Sequence, residues 1–283
     1  MNRAGRTMRA VFIAVPALFM AIFLVLPAVS GAVLSFDVGG RLSLGNYRAL
    51  LGDRMFWRAL LGNLAIPLGS LAIEFALALG LALYLGARRK PPAAVEVAAI
   101  LPFAIPEIVL LAIARYIFIP RGYLNGALLA AGGAPLGWLR PGSALASLVV
   151  MAVDAWHVTP VVMLILLAGL QTIPPELYEA AALDGAGALQ TFRHVTLPLL
   201  TPALVGALVL RGVDALRIFS TTLVLTGAEG TPVLSTYAYL LWSDSQEPRV
   251  AMAAAMMLAA MVTLMGLAGI ALGRRFGASG VAA

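Results

Sequence analysis

Cysteine is absent from the 283 residues, and charged side chains account for only 11% of them. A chain without cysteine forms neither disulfides nor thiolate metal sites. Its two histidines, His157 and His194, are too few for a histidine metal cluster. Soluble domains carry about 25% charged residues, whereas this chain has 61% hydrophobic residues and a mean hydropathy of +0.97. The composition therefore predicts a membrane protein, and we expect no cofactor or metal to bind to this chain.

Lysine is almost as scarce, and Lys90, between Arg89 and Pro91, is its one occurrence in the sequence. A P-loop needs a lysine after a glycine-rich turn to reach the β and γ phosphates of a nucleotide. Lys90 does not follow such a turn. Any ATP that drives this chain must therefore be hydrolysed by another subunit.

Six apolar runs are long enough to cross the ~30 Å hydrocarbon core of a bilayer. The first run is too long for a signal peptide and lacks a small-residue cleavage site, so we interpret it as a retained span. Pro102 and Pro106 are predicted to interrupt the third span, and Thr201 with Pro202 is predicted to begin the fifth. The spans are predicted at 10–36, 62–87, 93–119, 143–170, from 201 onward, and at 250–272.

The predicted fold class is therefore an all-α membrane protein with six transmembrane helices, organised as one membrane domain over residues 1–283. The segment 37–60 is predicted to be a polar loop, and 124–131 a short helix. The segment 226–247 carries aromatic residues that suit the membrane interface.

The basic residues sit mainly at the ends of the apolar runs, which favours membrane topology over nucleic-acid binding as the cause of the +6 net charge. Six crossings place both termini on one side, with nine basic residues against seven on the other. Because cytoplasmic loops are enriched in arginine and lysine, we expect both termini to be cytoplasmic. The nine are Arg3, Arg6, Arg9, Arg88, Arg89, Lys90, Arg193, Arg274 and Arg275; the seven are Arg41, Arg48, Arg54, Arg58, Arg121, Arg140 and Arg249.

The long polar passage at 174–198 lies between the fourth and fifth spans, and this topology makes it cytoplasmic. Two prolines, 174–175, favour a helix start, because proline suits the first helical turn. Glu176 and Glu179 then lie near the positive end of the helix dipole. Gly185 permits a positive φ and is predicted to end the helix.

A second short helix is predicted at 189–194, and Leu197-Pro198 is predicted to close the passage. Read as Glu179-Ala180-Ala181, three residues, Gly185, nine residues, Val195, one residue and Leu197-Pro198, the passage resembles the EAA loop of permease subunits in binding-protein-dependent ABC importers. Valine stands where isoleucine is more usual. An ordinary amphipathic hairpin at the membrane interface is the alternative reading.

The resemblance implies a cytoplasmic coupling helix that docks in a cleft of an ATPase subunit. It further implies a second permease subunit, two ATPase subunits that hold ATP and Mg²⁺, and an extracytoplasmic solute-binding protein. Looser patterns at 45–63 and 214–227 resemble sugar-importing members, of the maltose and trehalose type. The residues implied in ATPase coupling are Glu179, Ala180, Ala181, Asp184, Gly185, Leu197 and Pro198.

Charged side chains within the apolar runs cost roughly 2.5–3.5 kcal/mol each on insertion scales, so they should face the protein interior. Two groups stand out. They are Arg211, Asp214 and Arg217, which would share an arc of about 120° on the fifth span, and Asp154, Trp156 and His157 in the fourth.

These groups have two readings: ion pairs that fix packing, or contacts to sugar hydroxyls along a translocation path. The candidate path residues are Asp154, Trp156, His157, Arg211 and Asp214. Pairing with other charges is the prediction for Glu74, Glu107 and Arg115.

Two other functions fit parts of the pattern. An ion-coupled secondary transporter would also bury carboxylates, but it needs no coupling loop and often has inverted repeats, which we do not find. An intramembrane enzyme would need a nucleophile or acid near a histidine, and Asp154 with His157, spaced i and i+3, comes nearest. No further motif supports either reading.

Overall fold

The computed structural model describes residues 3–88 and 92–277, which are mainly helical. The basic turn predicted at 89–91 lies outside the described residues. A two-stranded antiparallel hairpin pairs β1 (Asp37–Val38) with β2 (Arg41–Leu42). The helices are α1 (Arg3–Met20), α2 (Leu26–Phe36), α3 (Gly45–Gly52), α4 (Arg54–Gly86), α5 (Ala93–Ala104), α6 (Glu107–Phe118), α7 (Tyr123–Ala130), α8 (Ala144–Gln171), α9 (Pro175–Leu183), α10 (Ala188–Thr191), α11 (Leu197–Ala215), α12 (Ser220–Thr226), α13 (Leu234–Ser243) and α14 (Pro248–Gly277).

Membrane-spanning segments make up most of this architecture. Among the described residues, five helical segments are long and apolar enough to cross a bilayer, and a sixth is obtained when the bent pair Ala93–Ala104 and Glu107–Ala130 counts as one span. The five are Phe12–Phe36, Arg54–Gly86, Ala144–Gln171, Ala188–Ala215 and Pro248–Ala271. The predicted all-α membrane fold is confirmed.

The second span begins earlier than predicted, and the segment 37–60 is not simply a loop. Its first part forms the β-hairpin and α3, and α4 starts at Arg54. The Asp53 side chain caps this start by accepting a hydrogen bond from the Met55 backbone N–H at 2.8 Å. Arginines near the helix start suggested a loop, but the cap allows the helix to extend beyond the apolar run.

The third span is interrupted at one proline and not at two. Pro102 lies within α5, whereas the helix ends before Pro106, and the following segment Glu107–Ala130 is bent by 101° relative to α5. Ile105 has an extended backbone, with φ −86° and ψ 131°. A residue that precedes proline is disfavoured in the helical region, which accounts for the position of the break.

The fifth span does not start at Thr201, and Leu197-Pro198 does not close the preceding passage. A continuous helical segment runs from Ala188 to Ala215, with Pro202 inside α11. Its continuity depends on a π-helical turn at Phe192–Thr196, in which the Leu197 N–H bonds to the Phe192 carbonyl five residues back.

The π-helical turn explains how the helix passes Pro198. In a regular α-helix the proline ring would clash with the carbonyl four residues earlier, and the wider turn relieves this contact. The first span repeats the arrangement, because a π-helical turn at Ala21–Val25 precedes Leu26 and Pro27.

The core lies between the central helices. α4 and α8 share the largest helix–helix contact of the described chain, and α11 packs against α8 and α14. Gly69 permits the close approach of α4 to α8, since a Cβ there would lie 2.4 Å from the Met151 sulfur. The first span lies at the periphery, and its most apolar stretch contains no buried residue.

Candidate coupling loop and polar cavity

The side chain of Arg211 on α11 forms the centre of a buried ion cluster. Its Nε and Nη2 donate to the two carboxylate oxygens of Glu74 on α4, at 2.8 and 3.2 Å. These side chains are 5% and 0% exposed. A bidentate guanidinium–carboxylate pair of this kind is a strong and directional contact. The pairing predicted for Glu74 is therefore observed, and it joins α4 to α11.

Two further carboxylates surround the same guanidinium. Nη1 donates to Asp214 one turn along α11, and Nη2 lies 4.0 Å from the nearer oxygen of Asp154 on α8. The Ser70 hydroxyl of α4 also donates to Asp154. Ser70 and Glu74 are spaced i and i+4 and so share one face of α4. Ser70 was not among the residues predicted from the sequence, although its spacing from Glu74 was a usable signal.

A polar cavity of about 320 Å³ adjoins the cluster. It brings together four of the five candidate path residues. The Asp214 side chain is 63% exposed, so its carboxylate is accessible. The cavity is lined by Phe103, Glu107, Asp154, His157, Val158, Arg211, Asp214, Ala215, Arg217, Ile218, Phe219, Ser220 and Thr221.

Trp156 does not line this cavity. It borders a separate apolar cavity of about 290 Å³, together with residues of α6 such as Ile113 and Phe118. Residues i and i+2 of a helix point about 200° apart, so Trp156 faces away from Asp154 while His157 does not. The prediction that Asp154, Trp156 and His157 lie together is therefore wrong for Trp156.

Three other charged side chains depart from the sequence prediction. Arg115 bonds to the Val224 carbonyl at 3.0 Å and not to a carboxylate. Glu107 lines the polar cavity, and no ion pair involves it among the described residues. Arg217 lies beyond the end of α11 and not on a third turn of it, because the helix ends at Ala215.

The passage between α8 and α11 forms a helix and a tight glycine turn. Gly185, with φ +75°, ends α9. Its N–H bonds to the Ala182 carbonyl at 3.1 Å, and the Ala186 N–H bonds to the Ala181 carbonyl at 2.9 Å. This pair of bonds is a Schellman motif, which favours glycine at the left-handed position. The predicted helix end at Gly185 is observed.

Most residues of α9 are exposed. The structure describes all its residues, and it buries none of them. Leu183 is 88% exposed, and Leu189 beyond the turn is 77% exposed. Glu179, Ala180 and Asp184 are also exposed. Large apolar side chains that are exposed to this extent are typical of a surface that binds another protein.

The far end of the loop joins α11 through the π-helical turn. Leu197 and Pro198, the remaining predicted coupling residues, form the first turn of α11. The Thr196 hydroxyl donates to the Tyr178 hydroxyl at 3.3 Å, which ties α9 to the base of this helix. Thr196 is buried, whereas the residues of α10 are not. The same helical segment thus carries the exposed loop at one end and Arg211 at the other.

A second polar cavity, of about 480 Å³, lies at the opposite end of the bundle, where α4 begins. Asp53, Arg58, Glu229 and Tyr237 are among its lining residues. The Tyr237 hydroxyl donates to Asp53 at 2.5 Å. Burial and this hydrogen bond raise the pKa of Tyr237, so its hydroxyl stays protonated as a donor.

Comparison with known proteins decides the family. The profile of the family described as "Binding-protein-dependent transport system inner membrane component" matches residues 76–277, a range that includes both the polar cavity and the α9 loop. The chain belongs to this family. The resemblance found in the sequence is confirmed at this level, as is the multi-pass inner-membrane setting.

Two relatives in this family illustrate the match. The chain is 39% identical over 188 residues to a trehalose/maltose transport system permease protein, MalF, of Thermococcus litoralis. It is 40% identical over 187 residues to a trehalose transport system permease protein, SugA, of Mycobacterium tuberculosis. Each alignment covers 66% of this chain, but only 63% and 59% of the respective relative. The chain thus spans about three fifths of the length of these relatives.

A solved structure shows the same fold over nearly the whole chain. It is a bacterial alginate ABC transporter in complex with an alginate-pentasaccharide-bound periplasmic protein. The TM-score is 0.83 at 23% identity, with 96% of each chain covered. At this identity the likeness concerns the fold alone.

Proposed function

We propose that this chain is a transmembrane permease subunit of an ATP-driven ABC importer and that its cargo is a sugar or oligosaccharide. The observation that carries the proposal is the exposed α9, whose Leu183 is 88% exposed, while the Tyr178–Thr196 hydrogen bond joins this helix to the base of α11. In this proposal α9 docks on an ATPase subunit through Glu179, Ala180, Ala181, Asp184 and Gly185, with Leu197 and Pro198 at the base of α11.

The polar cavity is the proposed section of the translocation path in this subunit. Its carboxylates and His157 offer hydrogen-bond acceptors to hydroxyl groups, as sugar sites require. The sugar assignment is supported by the trehalose and maltose permeases among its relatives. Trp156 is not part of the proposed path, because it borders the apolar cavity.

The proposed assembly contains a second permease subunit, two ATPase subunits and an extracytoplasmic solute-binding protein. ATP and Mg²⁺ would bind to the ATPase subunits. Both chain termini and the α9 loop would lie in the cytoplasm, as the distribution of basic residues favours. Closure of the ATPase subunits would then move α9, and with it α11, relative to the rest of the bundle.

The docking proposal is tested by Leu183→Glu. Because Leu183 is 88% exposed, the substitution should leave the fold intact and place a charge on the docking surface. We expect loss of co-purification with the ATPase subunit and loss of ATP-dependent uptake of radiolabelled trehalose and maltose. The assay uses the chain expressed with its genomic neighbours and reconstituted in proteoliposomes.

Leu42→Glu is the matched control, since Leu42 is 79% exposed but lies on the β-hairpin at the other end of the bundle. It should retain ATPase binding. Equal binding by both variants would contradict docking at α9. Uptake that continues without ATP would instead favour an ion-coupled carrier.

A further inference from the structure

Arg211 lies between carboxylates of two other helices, and only one of them holds it closely. Its Nη2 is 3.2 Å from a Glu74 oxygen and 4.0 Å from an Asp154 oxygen. A guanidinium has five N–H donors. Three of them bond to Glu74 and Asp214, so Nη2 still has a donor available for Asp154.

The burial of this cluster restricts how α11 can move. The side chains of Arg211 and Glu74 are 5% and 0% exposed, so separating them completely would leave Glu74 as an uncompensated charge in a dry environment and Arg211 paired only with Asp214. Asp154 is 14% exposed and stands at the wall of the polar cavity. A displacement of about 1 Å would bring it within hydrogen-bonding distance, and interface helices commonly shift by about 1–2 Å when proteins switch state.

Glu74 and Asp154 belong to one packed unit. Their helices α4 and α8 share the largest contact of the described chain, and the Ser70 hydroxyl of α4 holds Asp154 directly. Arg211 is on α11, which continues through the π-helical turn into the exposed loop. A force applied to the loop would therefore move Arg211 relative to both carboxylates together.

We propose that Asp154 is an alternative partner of Arg211, and that movement of α11 during transport transfers the Nη2 bond from Glu74 to Asp154 while Nε stays bonded to Glu74. The exchange keeps both Arg211 and the buried Glu74 paired in both arrangements. Asp154 is then a positioning residue for the moving helix as well as part of the cavity wall. This inference rests on the proposed function, since the movement is driven through the α9 loop.

The lack of cysteine in the chain allows a direct test. Ser220→Cys introduces a single thiol at the polar cavity. In the assembled transporter in proteoliposomes, with its binding protein, the rate of maleimide labelling of this thiol should change several-fold on addition of ATP. In the double variant Ser220→Cys with Asp154→Asn, the labelling rate should no longer change on addition of ATP, while the ATPase subunit still co-purifies.

Glu107→Gln is the matched control, because it removes a carboxylate from the same cavity without contact to Arg211. It should leave the ATP-dependent change in labelling intact. Asp154→Glu, which retains a carboxylate, should restore the change and so separates the exchange from a general loss of folding. If Asp154→Asn still shows the full change, the exchange is wrong while the importer function stands. If ATP neither alters the labelling of the Ser220→Cys chain nor drives uptake by it, the proposed function itself fails.

Discussion

The helical segment from Ala188 to Ala215 has two contrasting ends. At one end Arg211 is 5% exposed and bonded to carboxylates within the chain. At the other end the loop that contains α9 exposes Leu183 and buries none of the α9 residues. The buried end satisfies its polar groups internally, so changes there should alter folding. The exposed end leaves apolar side chains such as Leu183 on the surface, so changes there should alter association.

The sharpest test of this contrast is Arg211→Leu. Breaking a buried ion pair by removing one partner costs about 3–5 kcal/mol, because the remaining charge stays buried. We expect a loss of this size in the free energy of unfolding, measured by denaturant titration of the purified chain in detergent.

Two controls accompany Arg211→Leu. Arg217→Leu, at an exposed position, should change the free energy by no more than about 0.5 kcal/mol. The double variant Glu74→Leu with Arg211→Leu should recover most of the loss, since apolar side chains can replace a buried pair. If Arg211→Leu and Arg217→Leu lower the free energy of unfolding by similar amounts, the buried ion cluster does not stabilise the fold as stated.

Gly185→Ala should have an intermediate effect and act at the exposed end. Alanine in a left-handed conformation costs about 1–2 kcal/mol, and Gly185 has a φ of +75°. We expect the turn after α9 to open and ATPase binding to weaken about tenfold, measured by titration of the purified ATPase subunit. Gly206→Ala on α11 is the control, because it has open space around its Cβ and should stabilise the helix slightly. Unchanged ATPase binding by Gly185→Ala would show that the turn does not position α9.

The smallest expected effect concerns the contact between the two ends of the loop. Tyr178→Phe removes the partner of the buried Thr196 hydroxyl, which typically costs about 0.5–1.5 kcal/mol. The thermal midpoint should fall by a few degrees, while ATPase binding persists. Tyr123→Phe, at a 79% exposed tyrosine, should leave the midpoint unchanged. If the two variants behave alike, the 3.3 Å contact makes no measurable contribution.

Local chemistry made part of this structure predictable from sequence. The apolar runs located the spans, and Gly185 located the end of α9, because both depend on local physical requirements. The fold family followed from the spacing between Glu179 and Pro198. Insertion costs also predicted that Glu74 would be paired, since a charge at bilayer depth needs a partner.

Nonlocal contacts and unusual helical turns were less accessible. The identity of the Glu74 partner depends on how α4 packs against α11, 137 positions apart in the chain. Pro198 and Pro202 suggested helix boundaries, but the π-helical turn accommodates the first and the helix tolerates the second. Trp156 was predicted to lie beside Asp154 because the two are close in sequence, but their side chains point in different directions from α8.

The π-helical turn at Phe192–Thr196 also determines the direction in which α9 projects from α11. Successive residues of an α-helix are about 100° apart around the axis. Removing one residue from this turn, so that it becomes regular, would swing α9 roughly a quarter of a circle around α11 without changing the apolar length of the span. The angular position of α9 around α11 thus depends on a single inserted residue.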